Sequence, residues 1–363
     1  MRFIGAFIVV VCGLASSLRA DWPLFRGNAL QNGVADSPLP ETLEVRWKLQ
    51  VKDGIEGTAA IVKDTVYFGA FDQYLYAVNL ADAKEKWKYK GGPFKAPPSV
   101  FDGAVFVGDE DGLFHCVDAA TGIKRWTFET EGEITSGANF AGDQVLFGSH
   151  DATLYCLNRK DGSVLWKFKT QGPVNGAPVI AGAYTFVAGC DSSLHIIDLK
   201  NGKELVQVDL DGQAGATAAV LGDNLYVGTM TNEFKAIDLR KKAVLWTYEP
   251  KRAQPFYGSA AVTDKLVVVG NRDKLVHALN RGKGDIAWTF PTKGRVDSSP
   301  VVDGSRVYVG SSDGSLYVLD LAKGVQLQKI ELGRGIVASP AVAENCLVIG
   351  TTDGLLYCLG KKQ

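Results

Sequence analysis

Asn158-Arg159-Lys160-Asp161-Gly162-Ser163-Val164-Leu165-Trp166 decides the fold, because the same shape recurs along the chain. It returns as Asp118-Ala119-Ala120-Thr121-Gly122-Ile123-Lys124-Arg125-Trp126 and as Asn280-Arg281-Gly282-Lys283-Gly284-Asp285-Ile286-Ala287-Trp288. Each copy has an acid or amide, a glycine four residues before a tryptophan, and a short run leading into the indole. Tryptophans stand at 47, 87, 126, 166, 246 and 288, with gaps of 40, 39, 40, 80 and 42. Val206 fills the midpoint of the double gap, and Gln328 lies one period after Trp288. Trp22 alone is off this register. A fixed period of about forty residues marks a repeat architecture.

A second register agrees with the first. Short β-branched or aromatic runs end at Gly69, Gly108, Gly148, Ala188, Gly228, Gly270, Gly310 and Gly350. Three residues later come Asp72, Asp111, Asp151, Asp191, Thr231, Asp273, Asp313 and Asp353. Another β-prone run follows each time, which is a hairpin signal. The tryptophan run supplies one further strand per repeat. A small-residue run before each hairpin, such as Val174-Asn175-Gly176-Ala177-Pro178-Val179, supplies another. Small residues suit an innermost strand, where the repeats crowd around an axis, and proline is tolerated on an edge. The expected fold is therefore all-β: an eight-bladed β-propeller of four-stranded antiparallel blades.

The two ends close the ring. The last repeat stops soon after Leu355–Leu359 without a tryptophan strand, while Glu44-Val45-Arg46-Trp47-Lys48 is a tryptophan strand without a repeat. Donating the second to the first removes two exposed edges. The expected domains are a signal peptide over 1–20, an N-terminal extension over 21–43 and the propeller over 44–363. Arg2, the apolar run Phe3–Leu14 and the small residues up to Ala20 carry the signal-peptide expectation. Val11 before Cys12 argues against lipidation. The expected location is periplasmic or secreted, soluble after cleavage, with no transmembrane segment.

Composition narrows the partners. Thirty-nine basic residues against forty acidic ones leave a net charge of −1, which gives no electrostatic case for nucleic acid or an anionic membrane. Five cysteines remain after residue 20, at 116, 156, 190, 346 and 358, without the spacing of a zinc site or a disulfide framework.

The three quoted stretches resemble the tryptophan-docking motif of PQQ-type propeller repeats. The resemblance covers roughly residues 44–360. Asp21-Trp22-Pro23-Leu24-Phe25-Arg26-Gly27 is similar to the start of many exported bacterial propellers of this type. The fold is shared by the BamB-type outer-membrane assembly propeller and by the quinoprotein alcohol dehydrogenases. The resemblance thus implies either an interaction scaffold or an oxidoreductase, since fold alone does not give function. The dehydrogenases have adjacent cysteines and a calcium cluster over their quinone, whereas this sequence has no Cys-Cys pair. Neither PQQ, nor calcium, nor any other metal or cofactor is expected. The expected function is a non-catalytic binding or scaffold propeller of the bacterial envelope, a monomer that engages an envelope protein. The alternatives are a cofactor-dependent oxidoreductase-like propeller and a small-molecule or glycan sensor.

Alignment disposes of most apparent active-site residues. His115, His195 and His277 occupy a repeat position that is otherwise Tyr76, Tyr155, Lys235, Tyr317 or Tyr357, so they are expected to be structural. The turn aspartates are expected to bond nearby backbone. Trp47, Trp87, Trp126, Trp166, Trp246 and Trp288 are expected to dock blade on blade. His150 and Cys190 sit off register in turns, and Cys190 is the candidate reactive thiol. The candidate binding residues are those that do not repeat. Near the start of each innermost strand one position should face the axis: Glu56, Lys95, Thr135, Asn175, Gly215, Tyr257, Asp297 and Val337. The longest blade connection adds Lys251 and Arg252.

Overall fold

The computed structural model describes residues 21–362. The signal-peptide and Cys12 expectations lie outside the described residues. Eight sheets are formed, one per blade, each with four antiparallel strands that are consecutive in the first seven blades, and no helix is present among the described residues. The third blade is typical. Asn139–Ala141 lies innermost, followed outward by Gln144–Ser149, Thr153–Asn158 and Val164–Lys169. In the eighth blade Glu44–Gln50 supplies the outer strand beside Leu355–Gly360, with Trp47 opposite Cys358. The expected closure is therefore present.

One expectation needs correction. The small-residue runs are not themselves paired strands. In the fourth blade the inner ladder spans only Val179–Ala181, and Asn175–Pro178 lies before it. Here hydroxyls do the work that small size was expected to do. The N–H groups of Ala177, Thr217, Ser259 and Ser299 donate to Oγ of Thr217, Ser259, Ser299 and Ser339, at 2.7, 3.1, 2.9 and 2.9 Å. Each bond links one blade to the next and satisfies an N–H that no ladder reaches.

Each tryptophan is aimed by a bulge. In the third blade Cys156 pairs with Trp166 and Leu157 with Val164, so Leu165 is the extra residue. The indole then leaves its own sheet. Its N–H donates to a carbonyl of the next blade in all six cases, at 2.7 to 3.1 Å, as from Trp166 to Leu199. In five cases the ring lies on that blade's repeat glycine, while opposite Trp47 the repeat position is Ala83. A Cβ on Gly202 would fall 2.6 Å from the Trp166 ring, and its φ of +69° also favours glycine.

The two vacancies differ in cause. Opposite Val206 the repeat glycine is replaced by Lys242, so indole and glycine are lost together. Gln328 faces the gap between the chain's two ends. Its amide donates to the Leu43 carbonyl at 2.8 Å and accepts from the Leu43 N–H at 3.0 Å, clasping the chain just before the closing strand. We expect Val206→Trp alone to destabilise and Val206→Trp with Lys242→Gly to recover stability. A double-mutant cycle should show coupling of about 1 kcal/mol or more, and additive single effects would refute the pairing.

In six blades the central tyrosine or histidine bonds an aspartate of the turn above it, while Lys235 pairs with Asp211 and Glu233 and Tyr357 donates to the Leu332 carbonyl. Tyr76, Tyr155 and Tyr317 donate to Asp72, Asp151 and Asp313 at 2.7, 2.6 and 2.8 Å. His115, His195 and His277 meet Asp109, Asp191 and Asp273 at 2.7, 2.9 and 3.1 Å, as structural residues would. Burial pushes the Asp109 carboxyl up, but bonds from His115 and from the Leu113 and Gly92 N–H groups outweigh it, and the net shift is downward. A lowered folded value stabilises above the unfolded carboxylate range near 3.9 and is lost as pH falls through the folded value. Asp109→Asn should therefore flatten the acid limb of stability measured by urea unfolding between about pH 5 and 3. An unchanged acid limb would show that this pair contributes nothing.

Candidate functional site

The N-terminal extension decides which end of the axis is open. Trp22 bridges to Ile61 in the first blade. The chain then bonds to one inner strand after another. Val100, Ile180, Val220, Val262 and Val302 donate their N–H groups to the carbonyls of Pro23, Ala29, Leu30, Asn32 and Gly33, at 2.8 to 3.0 Å. Val34–Ala35 finally adds a short parallel strand to the seventh blade. These bonds cover inner edges that would otherwise be unpaired.

Phe25 and Arg26 cross the axis itself. Phe25 approaches Gly137 between the Pro97 and Ala177 positions. Arg26 is 1% exposed and reaches the opposite side, where it donates to the carbonyls of Ser299 at 3.2 Å, Ala260 at 3.1 Å and Pro300. Burial pushes its guanidinium down to about 9, which still leaves it charged at neutral pH. Gly33 gives it room, since a Cβ there would fall 1.9 Å from Nη2. This end of the axis is closed.

At the other end the axis opens into a cavity of about 150 Å³ with Phe25 among its lining residues. All eight positions expected to face the axis line it: Glu56, Lys95, Thr135, Asn175, Gly215, Tyr257, Asp297 and Val337. The hydroxyls of Thr217, Ser259, Ser299 and Ser339 line it as well. Lys251 and Arg252 do not. They border a separate groove with Tyr248, His277 and Pro291.

A second ring surrounds the first, and sequence reasoning missed it as a ring. It is the residue before each turn aspartate: Phe71, Glu110, His150, Cys190, Met230, Arg272, Ser312 and Thr352. His150 Nε2 is 3.0 Å from the Thr135 hydroxyl, and Asn175 Nδ2 is 3.2 Å from Cys190 Sγ. Arg272 holds Asp297 through two bonds, at 2.8 and 3.0 Å, and lies 3.7 Å from the Tyr257 ring centroid. Lys95 and Glu56 are 3.9 Å apart. Glu110 is raised by burial first, and Glu133, Glu56 and Asp111 add to the rise against the pull of Lys95. Burial and Asp191 push the Cys190 thiol up, which removes the thiolate a reactive cysteine needs.

The lining is thus polar, chemically varied and held by neighbours within the mouth. It can offer hydrogen bonds and paired charges to a ligand or a protruding side chain. No group of three or more His, Cys, Asp or Glu among the described residues could hold a metal ion. No helix among them is long and apolar enough to cross a membrane.

Comparison with known proteins is consistent with this architecture. No curated protein matches the chain. Among solved structures, BamB from Moraxella catarrhalis is 19% identical, with a TM-score of 0.75 over 89% of this chain and 98% of that one. The quinohemoprotein alcohol dehydrogenase from Comamonas testosteroni is 13% identical, with a TM-score of 0.81 over 95% and 81%. The computationally designed Ika8 protein is 19% identical, with a TM-score of 0.74 over 86% and 97%. At these identities the likeness is one of fold. A family model matches residues 39–136, 110–229 and 190–363, which together span the propeller. The chain belongs to the propeller family described as outer membrane protein assembly factor BamB.

Proposed function

We propose that this chain is a non-catalytic interaction propeller of the bacterial cell envelope that engages a protein partner through its mouth face. One observation carries this. The residues that break the repeat gather around the open end of the axis, while the chain's own N-terminal segment seals the other end. Non-repeating side chains on a rigid repeat scaffold are where specificity resides. Membership of the BamB family supports an envelope setting and a protein partner.

The oxidoreductase alternative meets a poor fit. PQQ carries three carboxylates, and the cavity would set them against Glu56 and Asp297. The nearby cations Lys95 and Arg272 already face those same acids. We expect PQQ with calcium to leave the thermal unfolding of the purified protein unchanged. A saturable rise in melting temperature would overturn that expectation.

The scaffold role is tested by pull-down from envelope extracts with the parent, Tyr257→Ala and Arg252→Ala. Tyr257 lines the mouth, and Arg252 borders the separate groove beside Tyr248 and Pro291. Recovery of a specific partner should fall for Tyr257→Ala most. Recovery unchanged for both variants would show that the partner binds elsewhere.

A further inference from the structure

The rim of the mouth is electrically divided. The third blade enters its inner strand through Thr130-Glu131-Gly132-Glu133-Ile134-Thr135, and the seventh through Thr292-Lys293-Gly294-Arg295-Val296-Asp297. The backbone of the two loops is held in the same way. The N–H of Glu131 donates to Asp151 at 3.2 Å, and that of Lys293 to Asp313 at 2.9 Å. Ser149 and Ser311 donate to the carbonyls of Glu133 and Arg295 at 3.5 and 3.4 Å. Two acids therefore stand where the other blade has two bases, and in a ring of eight the third blade faces the seventh.

The neighbouring blades extend both walls. Glu110 and Glu56 lie beside the acidic loop. Arg334, exposed, lies beside the basic one. Arg295 and Arg334 have no ion pair among the described residues. These two exposed, solvated cations extend the wall begun by Lys293 on one side of the mouth. Glu131, Glu133 and Glu110 lie on the other, where Lys95 already pairs with Glu56 at 3.9 Å. Both walls lie on the rim, so a ligand that meets both must extend across the mouth.

We propose that the mouth face recognises a polypeptide segment of segregated charge, cationic over the second and third blades and anionic over the seventh and eighth. This rests on the interaction-propeller reading and names the partner's chemistry. A polyanion such as nucleic acid would be repelled by the acidic wall, and a polycation by the basic one. A segment with both charges in separate blocks gains on both sides, and its orientation across the mouth is fixed.

The test compares two synthetic peptides of identical composition, one with lysines in its first half and glutamates in its second, the other with the two alternating. Binding to the full chain is read by fluorescence anisotropy at low ionic strength. The block peptide should bind about tenfold or more tighter, and the preference should vanish near 1 M salt, where screening acts within about 3 Å. Glu131→Lys with Glu133→Lys should abolish the preference, as should Lys293→Glu with Arg295→Glu. Combining all four should restore it, because the peptide then lies the other way round. Equal affinity for the two peptides, at any strength, overturns the proposal, as does failure of the fourfold variant to recover when its melting temperature matches the parent. A partner captured on Tyr257 with no block preference would leave the scaffold reading intact and remove only the charge pattern.

Discussion

Arg26→Ala should lower the unfolding free energy by about 3–5 kcal/mol, read as a fall of roughly 4–7 °C in melting temperature. Two effects compete. Removing the guanidinium relieves the cost of burying a cation, which is what its lowered value near 9 reports. It also strips the carbonyls of Ser299, Ala260 and Pro300 of their donor and leaves a void between Phe25 and the seventh blade. Hydrogen bonds from a charged donor contribute about 1.5–3 kcal/mol each, so three lost bonds exceed the relief. The damage should be local first. Val262 and Val302 donate to Asn32 and Gly33, next to the arginine's own turn, and their amides should exchange faster with deuterium. Arg26→Met fills more of the void but offers no donor, so it should fall between the parent and alanine. A variant as stable and as protected as the parent would mean that the segment does not close the axis.

Trp166→Ala should cost a similar 3–5 kcal/mol, the usual range for truncating a buried tryptophan. The indole is 8% exposed, rests on Gly202 and donates to the Leu199 carbonyl at 3.0 Å. Both contacts reach into the next blade, so the loss weakens a blade interface more than a blade. Gln328→Ala removes two hydrogen bonds to Leu43 and should cost about 1–3 kcal/mol, but at the ring's closure. Chemical unfolding of the two variants separates these effects. If Trp166→Ala is no worse than Gln328→Ala, the indole is not the main interblade contact.

The fold was legible because its strongest signals are periodic. Trp47, Trp87, Trp126, Trp166, Trp246 and Trp288 fall in one register, and the orphan strand around Trp47 announced the closure seen against Leu355–Gly360. What lies outside the period was not legible. Trp22, Phe25 and Arg26 occur once, so no alignment of repeats weighs them, yet they close the axis and bridge opposite blades. The serines and threonines of the inner segments were visible as small residues. That each hydroxyl accepts a bond from the previous blade needs the three-dimensional spacing of neighbouring blades.

The mouth was half legible. Counting from the inner strand placed Glu56, Lys95, Thr135, Asn175, Tyr257 and Asp297 on one cavity. The same logic applied to the residue before each turn aspartate would have found Glu110, His150, Cys190 and Arg272, because that position varies while its neighbours repeat. Lys251 and Arg252 are candidates because their connection is long, basic and closely precedes the mouth position Tyr257 in sequence. The loop instead carries them outward, to a groove beside Tyr248 and Pro291.

The central claim is that the non-repeating mouth face, and not the sealed face, meets the partner. Site-specific photocrosslinking in envelope extracts tests it most directly, with the crosslinker at Thr135 in the mouth and at Ser305 in a turn beside the seventh blade's inner strand, where the N-terminal segment pairs. A discrete protein adduct is expected from position 135 and none from position 305. An adduct from 305 with none from 135 would contradict it.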